Sequence, residues 1–263
     1  MVQTTNSAEF RFYEELNDVL SPERRKRPFC YAFCGEPAIK DAIEAIGVPH
    51  TEVDLILVNG VSVGFAYRLQ DGDHVAVYPV FESFDIGSVT RLRAPPLRQP
   101  KFVCDVHLGK LARRMRLLGF DVAYGNTASD PELVATALAE QRCILTRDRG
   151  ILKRKRVTHG YLVRSPQVGE QVREVLRRFD LAARVAPFSR CTRCNGLIQA
   201  VAKAEVSDRL PARTREYYDE FYRCTLCAQV YWKGTHFSRM EAEVREFVAQ
   251  WAAGYDAPPS CAA

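Results

Sequence analysis

No apolar run in this sequence is long enough to span a bilayer, which excludes an ordinary helical membrane protein. The first ten residues, Met1 to Phe10, lack the basic-then-apolar pattern of a secretory leader, so the expected location is cytoplasmic. There is no low-complexity tract and no internal repeat, which sets aside disordered and solenoid architectures. Disulfide scaffolding is also excluded: nine cysteines are an odd number, and two CxxC pairs among them read as metal ligands with free thiols besides. What is present is 263 residues at 47% hydrophobic, enough apolar material for two or three separate cores.

Charge is distributed unevenly. Residues 1–90 carry 7 Lys/Arg against 14 Asp/Glu, net −7; residues 91–190 carry 21 against 9, net +12; residues 191–263 carry 9 of each. A hundred-residue stretch that basic is a footprint for a polyanion or a solvated basic surface. An acidic first segment could equally dock on the basic one and mask it.

Three segments follow in order. The first, residues 1–86, reads as a small α/β unit. Glu9–Tyr13 alternates like a strand, Ser21–Pro28 looks like an exposed loop, and Phe29–Phe33 returns as a second strand. Ile39, Ile43 and Ile46 are spaced for one helix face, with Gly47 as the stop. Asn59-Gly60 joins Leu55–Val58 to Val61–Val63 as a hairpin, and His74–Val80 forms the last strand. That order resembles the β-grasp. The phrase Val58-Asn59-Gly60…Leu69-Gln70-Asp71-Gly72-Asp73-His74-Val75 resembles ubiquitin-like sulfur carriers. Those carriers end in an exposed Gly-Gly tail, whereas this segment runs into Phe84-Asp85-Ile86-Gly87-Ser88. Docking or structural work is therefore expected here rather than sulfur transfer. Residues 87–100, with Arg91, Arg93, Arg98 and several prolines, read as a stiff basic linker.

The second segment, 101–187, alternates strands and helices: strands at Lys101–Cys104, Phe120–Tyr124, Arg142–Thr146 and Gly160–Val163, with helices at Leu108–Leu118, Asp130–Glu140 and Val168–Phe179. Such alternation implies an α/β fold with a mainly parallel sheet and helices on both faces. Functional crevices of these sheets lie beyond the carboxyl ends of the strands, where Asp105 and Asp148 fall, with Asp130 at a helix start. Three converging carboxylates need a counterion, and Mg²⁺ or Mn²⁺ takes oxygen ligands while keeping waters for attack on phosphorus. Arg113, Arg114, Arg116, Arg147 and Arg149 are placed to hold flanking phosphates. Each aspartate also has a plainer reading. Asp130 could be an N-cap, Asp105 a turn residue, and Asp148 a salt-bridged loop residue.

Longer phrases narrow this. Asp105-Val106-His107-Leu108-Gly109-Lys110-Leu111-Ala112-Arg113, Leu117-Leu118-Gly119-Phe120-Asp121, Asp130-Pro131-Glu132-Leu133 and Ile144-Leu145-Thr146-Arg147-Asp148 resemble the PIN-like RNase family named for the C-terminal domain of the mutator-seven exonuclease. The resemblance covers about residues 100–240, and members resembling this chain often carry a ubiquitin-like domain in front. It implies an RNA-cleaving hydrolase with acidic metal ligands, carried onto Asp105, Asp130 and Asp148. Typical PIN sites add a fourth acidic residue. None stands out between Asp148 and Glu170, which leaves Glu132 as a weaker candidate and His107 outside the ligand set.

The third segment, 188–252, is a candidate zinc ribbon. Cys191-Thr192-Arg193-Cys194 and Cys224-Thr225-Leu226-Cys227 supply four thiolates for one tetrahedral Zn²⁺, which would fold the segment rather than catalyse. The 29 residues between the pairs require an insertion, and Asn195-Gly196 suits the tight turn after the first pair. Tyr231-Trp232-Lys233-Gly234-Thr235-His236 either covers the ribbon core or grips RNA. Cys30, Cys34, Cys104, Cys143 and Cys261 read as ordinary thiols, Met240–Trp251 as an amphipathic helix, and 253–263 as a loose tail. Two functions remain open: metal-dependent RNA hydrolysis, and a non-catalytic RNA-binding adaptor on a PIN-like fold. The partner of the ubiquitin-like segment is either another protein or the chain itself.

Overall fold

Alternating apolar residues put Ala8, Phe10 and Phe12 inside the first strand, β1 (Thr5–Phe12), and leave their neighbours facing out. This is the start of a computed structural model that describes residues 5–79, 89–92 and 100–255. Most of the expected linker 87–100, the Phe84–Ser88 phrase, Cys261 and most of the expected tail 253–263 lie outside those residues.

β2 (Phe29–Cys34) pairs antiparallel to β1. α1 (Ile39–Ile46) buries Ile39, Ala42, Ile43 and Ile46 and stops at Gly47, whose φ of +126° suits only glycine. β3 (Val53–Val58) and β4 (Val61–Ser62) form the expected hairpin through Asn59 (φ +51°) and Gly60 (φ +82°). β5 (His74–Pro79) runs parallel to β1 and antiparallel to β3, giving the order β2-β1-β5-β3-β4. This is the expected β-grasp-like sheet. Between β1 and β2 the expected loop Ser21–Pro28 is exposed apart from a half-buried Arg24, and a buried turn precedes it. A 3-10 turn at Glu14–Val19 buries Leu16 and Val19, and Asn17 bonds Phe12 O, Glu14 O and Lys26 N at 3.0, 3.0 and 2.7 Å.

The phrase shared with sulfur carriers is a structural network. Asp73 accepts from Asn59 Nδ2 at 2.9 Å, Tyr67 Oη at 3.0 Å and Gln70 N at 2.9 Å. Asn59 Oδ1 takes His74 N at 2.9 Å, and Asp71 takes Ser7 N at 2.8 Å. Burial, with Asp73 alongside, raises the Tyr67 hydroxyl above its ordinary pKa.

The second segment runs β6 (Lys101–Cys104), α2 (Gly109–Leu117), β7 (Val122–Tyr124), α3 (Asp130–Ala139), β8 (Arg142–Thr146), α4 (Arg149–Leu152), β9 (Gly160–Leu162) and α5 (Val168–Arg178). β6, β8 and β9 are parallel neighbours, flanked by helices as the alternation implied. Burial of Phe102, Val103, Ile144 and Leu145 explains why these strands read as continuous apolar runs. Two details differ from expectation. Ser129, not Asp130, caps α3, which makes Asp130 the first helical residue and Pro131 the second. The short α4, directly after Asp148, was not foreseen.

By compactness the chain forms two units, one of Met1–His107 with Gly125–Arg164, the other of Leu108–Tyr124 with Ser165–Ala263. In the second unit α2 packs on α5 through buried faces that include Leu111, Met115, Val172 and Leu176. A three-stranded antiparallel sheet follows: β10 (Ile198–Val201), β11 (Phe221–Cys224) and β12 (Val230–Trp232), with β11 central. The insertion between the cysteine pairs holds α6 (Lys203–Val206) and α7 (Ala212–Tyr217). It shares a core with the sheet, formed by Val206, Leu210, Phe221 and Val230, against which Val201, Tyr218 and Trp232 pack. α8 (Thr235–Tyr255) extends the expected terminal helix at both ends, and Arg114 meets its Glu243 at 2.7 Å. Among the described residues no helix is long and apolar enough to cross a membrane.

Candidate active site and metal centre

Parallel pairing of Cys104 with Leu145 sets Asp105 beside Thr146 at the carboxyl ends of β6 and β8. Asp105 is 5% exposed. Its Oδ2 accepts the Thr146 hydroxyl, and also Arg147 N at 3.2 Å, while Oδ1 accepts His107 N at 2.8 Å. Thr146 Oγ1 in turn receives Asp148 N at 2.9 Å, so one hydroxyl joins the two aspartates. Asp148 is exposed, caps α4 and accepts Gly150 N at 2.7 Å. Sequence reasoning passed over Thr146. Its signal was a hydroxyl residue closing an apolar strand two positions before Asp148.

Asp130 is placed differently. It is half-exposed and held by Arg154 at 2.7 Å. Among the described residues the acidic groups form no cluster of three or more close enough to share one ion. Glu132 is occupied as the other half of the α3 cap, with its Oε2 on Ser129 N at 2.8 Å and on Ser129 Oγ at 2.7 Å. Both bonds pull its carboxyl below the usual range. Glu170 pairs with Arg173 at 2.5 Å, and His107 contributes its backbone amide, not its ring, to Asp105.

The arginines divide sharply. Arg113 and Arg147 are exposed. Arg116, expected on phosphate, is 3% exposed and donates to Val122 O at 2.8 Å, Thr192 O at 3.2 Å and Arg193 O at 3.0 Å. A guanidinium so committed is structural, because reaching a phosphate would break all three bonds and orphan the buried Val122 carbonyl. Arg149 donates to Val19 O at 3.1 Å in the β-grasp region. Lys155 and Arg156, after α4, add exposed basic charge that the sequence reading had not singled out.

The cysteine pairs converge fully. Sγ atoms of Cys191, Cys194, Cys224 and Cys227 lie within 4.8 Å of one another, and this group can hold a metal such as zinc. Cys191 and Cys227 stand 3.7 Å apart and Cys194 and Cys224 3.3 Å. A tetrahedral sulfur shell on zinc has edges of about 3.8 Å, so the fit is close. The turns are alike: Asn195 N bonds Cys191 O at 2.9 Å with φ +74°, and Ala228 N bonds Cys224 O at 3.1 Å with φ +55°. A Cβ on Gly196 would come within 2.7 Å of Cys224 Sγ, which is why glycine follows Asn195.

Burial pushes the Cys191 thiol up. The Tyr231 hydroxyl at 3.0 Å and backbone amides outweigh it and bring the thiol down to about 7. Cys194 is pushed up to about 12 by burial and by its neighbouring thiols. Tyr231 itself is raised, first by burial and then by Cys191. Tyr231 therefore supports the sulfur shell, Trp232 covers the insertion core, and Lys233 pairs with Glu220 at 2.7 Å. The first turn is anchored: Asn195 accepts Val122 N at 3.0 Å and donates to Asp121 at 2.7 Å, and Arg190 reaches Asn195 O at 2.9 Å.

The family described as Mut7-C RNAse domain matches residues 100–244, and the one described as Mut7-C ubiquitin matches residues 5–85. No curated protein and no solved structure matches the chain.

Proposed function

The chain belongs to the Mut7-C RNAse family, with the ubiquitin-like domain of that family in front, and we propose that it hydrolyses RNA phosphodiester bonds in the cytoplasm at Asp105 and Asp148. One observation supports this most. Asp105 is a buried carboxylate at a strand's carboxyl end, tied to the Asp148 turn through Thr146, and without a basic side chain paired to it among the described residues. Two carboxylates and exposed backbone suit a hard divalent cation, which commonly takes one or two carboxylates and keeps its remaining positions for water and substrate oxygens. Mg²⁺ or Mn²⁺, when bound, supplies charge against the phosphate and acidifies a water.

The chain's own residues do the rest. Thr146 and the amides of His107 and Arg147 fix the Asp105 carboxylate so that it need not reorganise. Exposed Arg147, Lys155 and Arg156 hold phosphates of the strand. Asp130, paired with Arg154, plays a lesser part and joins the acidic set only when Arg154 turns from it to a phosphate. The Cys₄ shell leaves no open position, so its zinc is structural.

The Arg154–Asp130 pair favours a second reading, an RNA-binding protein without turnover. End-labelled RNA incubated with Mn²⁺, Mg²⁺ or EDTA decides between them. Hydrolysis requires metal-dependent products that vanish in Asp148→Asn. RNA bound but left intact with either metal, by folded and zinc-loaded protein, overturns hydrolysis in favour of the adaptor.

A further inference from the structure

The segment directly after Asp148 is gripped along its length by two turns and a helix of the ubiquitin-like domain. Arg149 Nη1 reaches Val19 O at 3.1 Å, in the turn that follows β1. Lys153 Nζ reaches Glu44 O at 2.5 Å, near the end of α1. His50, before β3, places Nε2 2.8 Å from Val157 O and Nδ1 2.5 Å from Glu44 Oε1. Two residues on, Glu52 accepts Leu162 N at 2.8 Å on one oxygen and pairs with Arg164 at 2.7 Å on the other. Arg164 also lies 3.6 Å from Asp18.

Two features separate this from casual surface contact. β9 is the last strand of its sheet, so Leu162 N is a ladder donor on an open edge, and Glu52 satisfies it. The Glu52 side chain is 2% exposed, and the bonds to both its oxygens come from residues 162 and 164. A carboxylate that buried requires partners, and a ubiquitin-like domain standing alone would not supply these two. The net −7 of residues 1–90 against +12 for 91–190 favours the same pairing.

We propose that the docking partner of the ubiquitin-like domain is the nuclease region of its own chain, and that this docking fixes the Asp148–α4–β9 segment in its working conformation. Asp148 caps α4 through Gly150 N, so whatever steadies Arg149 and Lys153 steadies the Asp148 carboxylate. Arg149, Lys153, His50 and Glu52 are positioning residues on this view. The docking rests on geometry alone, while the positioning rests on Asp148 being a working carboxylate.

Hydrogen exchange on the full-length, zinc-loaded chain tests the docking without reference to activity. In Glu52→Ala, amides between Gly150 and Val163 should exchange at least about tenfold faster, while β-grasp core amides such as Phe10 and Val77 keep their protection. Glu52→Gln, which retains an oxygen for Leu162 N, should fall between. Unchanged exchange in 150–163 overturns the docking. Arg149→Gln is the second variant, chosen because its side chain can be lost without emptying a core. Its RNA cleavage should drop in kcat with KM for RNA unchanged, and Mn²⁺ alone should bind less tightly. A raised KM with kcat and Mn²⁺ binding unchanged would make Arg149 a phosphate ligand and overturn the positioning. Should the wild type cleave no RNA at all, the nuclease reading fails, and exchange and Mn²⁺ binding still decide this proposal.

Discussion

The chain carries two candidate metal sites, and they are built in opposite ways. Each half of the thiolate site is encoded locally: a CxxC turn, closed by its own backbone bond, presents two sulfurs, and the pairing of β10 with β11 brings the four within 4.8 Å. The carboxylate site is assembled from strand ends 41 residues apart and is incomplete as it stands, with Asp105 and Asp148 joined through Thr146 and Asp130 turned to Arg154. A local site is fixed by turn chemistry and holds its shape as part of the fold. A site gathered from distant strands is held by the sheet and completed by what binds to it.

The sharpest way to break the comparison is to remove a sulfur. Cys224→Ser should take bound zinc from one per chain to none and unfold the β10–β12 sheet, since zinc in such sites contributes on the order of 10 kcal/mol. Metal analysis with exchange of the ribbon amides checks it, and a ribbon that stays protected without metal would refute a structural zinc. On the acidic side, Asp105→Asn and Asp148→Asn should each slow RNA cleavage at least about a hundredfold, near 2.7 kcal/mol of transition-state stabilisation. Asp130→Asn should cost clearly less. Equal losses at all three positions would mean that the Arg154 pair opens freely and that the site is a full triad in use.

Legibility followed the same division. The cysteine shell, the β-grasp order and the parallel strands could be read because each depends on spacing or periodicity within a few residues: CxxC, Ile39–Ile43–Ile46, Asn59-Gly60, and the apolar runs of β6 and β8. The arginines could not be sorted that way. Arg116 sits among other basic residues on α2, yet two of its acceptors are carbonyls 76 and 77 residues on. Arg149 looks like a neighbour of the acidic site, and its acceptor is 130 residues back. The sequence shows charge but not which distant backbone carbonyl will be left needing a donor. Arg116→Met makes the point measurable. It should destabilise the protein by about 3 kcal/mol, because several carbonyls lose a charged donor at once, while KM for RNA stays put. A pure rise in KM would restore Arg116 to the phosphate set.

The smallest effect compares the two knuckles with each other. Asn195 and Ala228 occupy the same left-handed turn position after their cysteine pairs, at φ +74° and +55°. For alanine that conformation costs about 1 kcal/mol, which glycine avoids at the price of a floppier unfolded chain. Ala228→Gly should therefore stabilise the ribbon by several tenths of a kcal/mol and slow zinc loss to a chelator. Asn195→Gly relieves similar strain but forfeits the bonds to Val122 N and Asp121, and should destabilise by about 1–2 kcal/mol. Opposite signs at equivalent positions would separate what the turn needs from what the anchoring needs. Equal stabilisation at both would mean that the Asn195 side chain contributes nothing to holding the knuckle on β7.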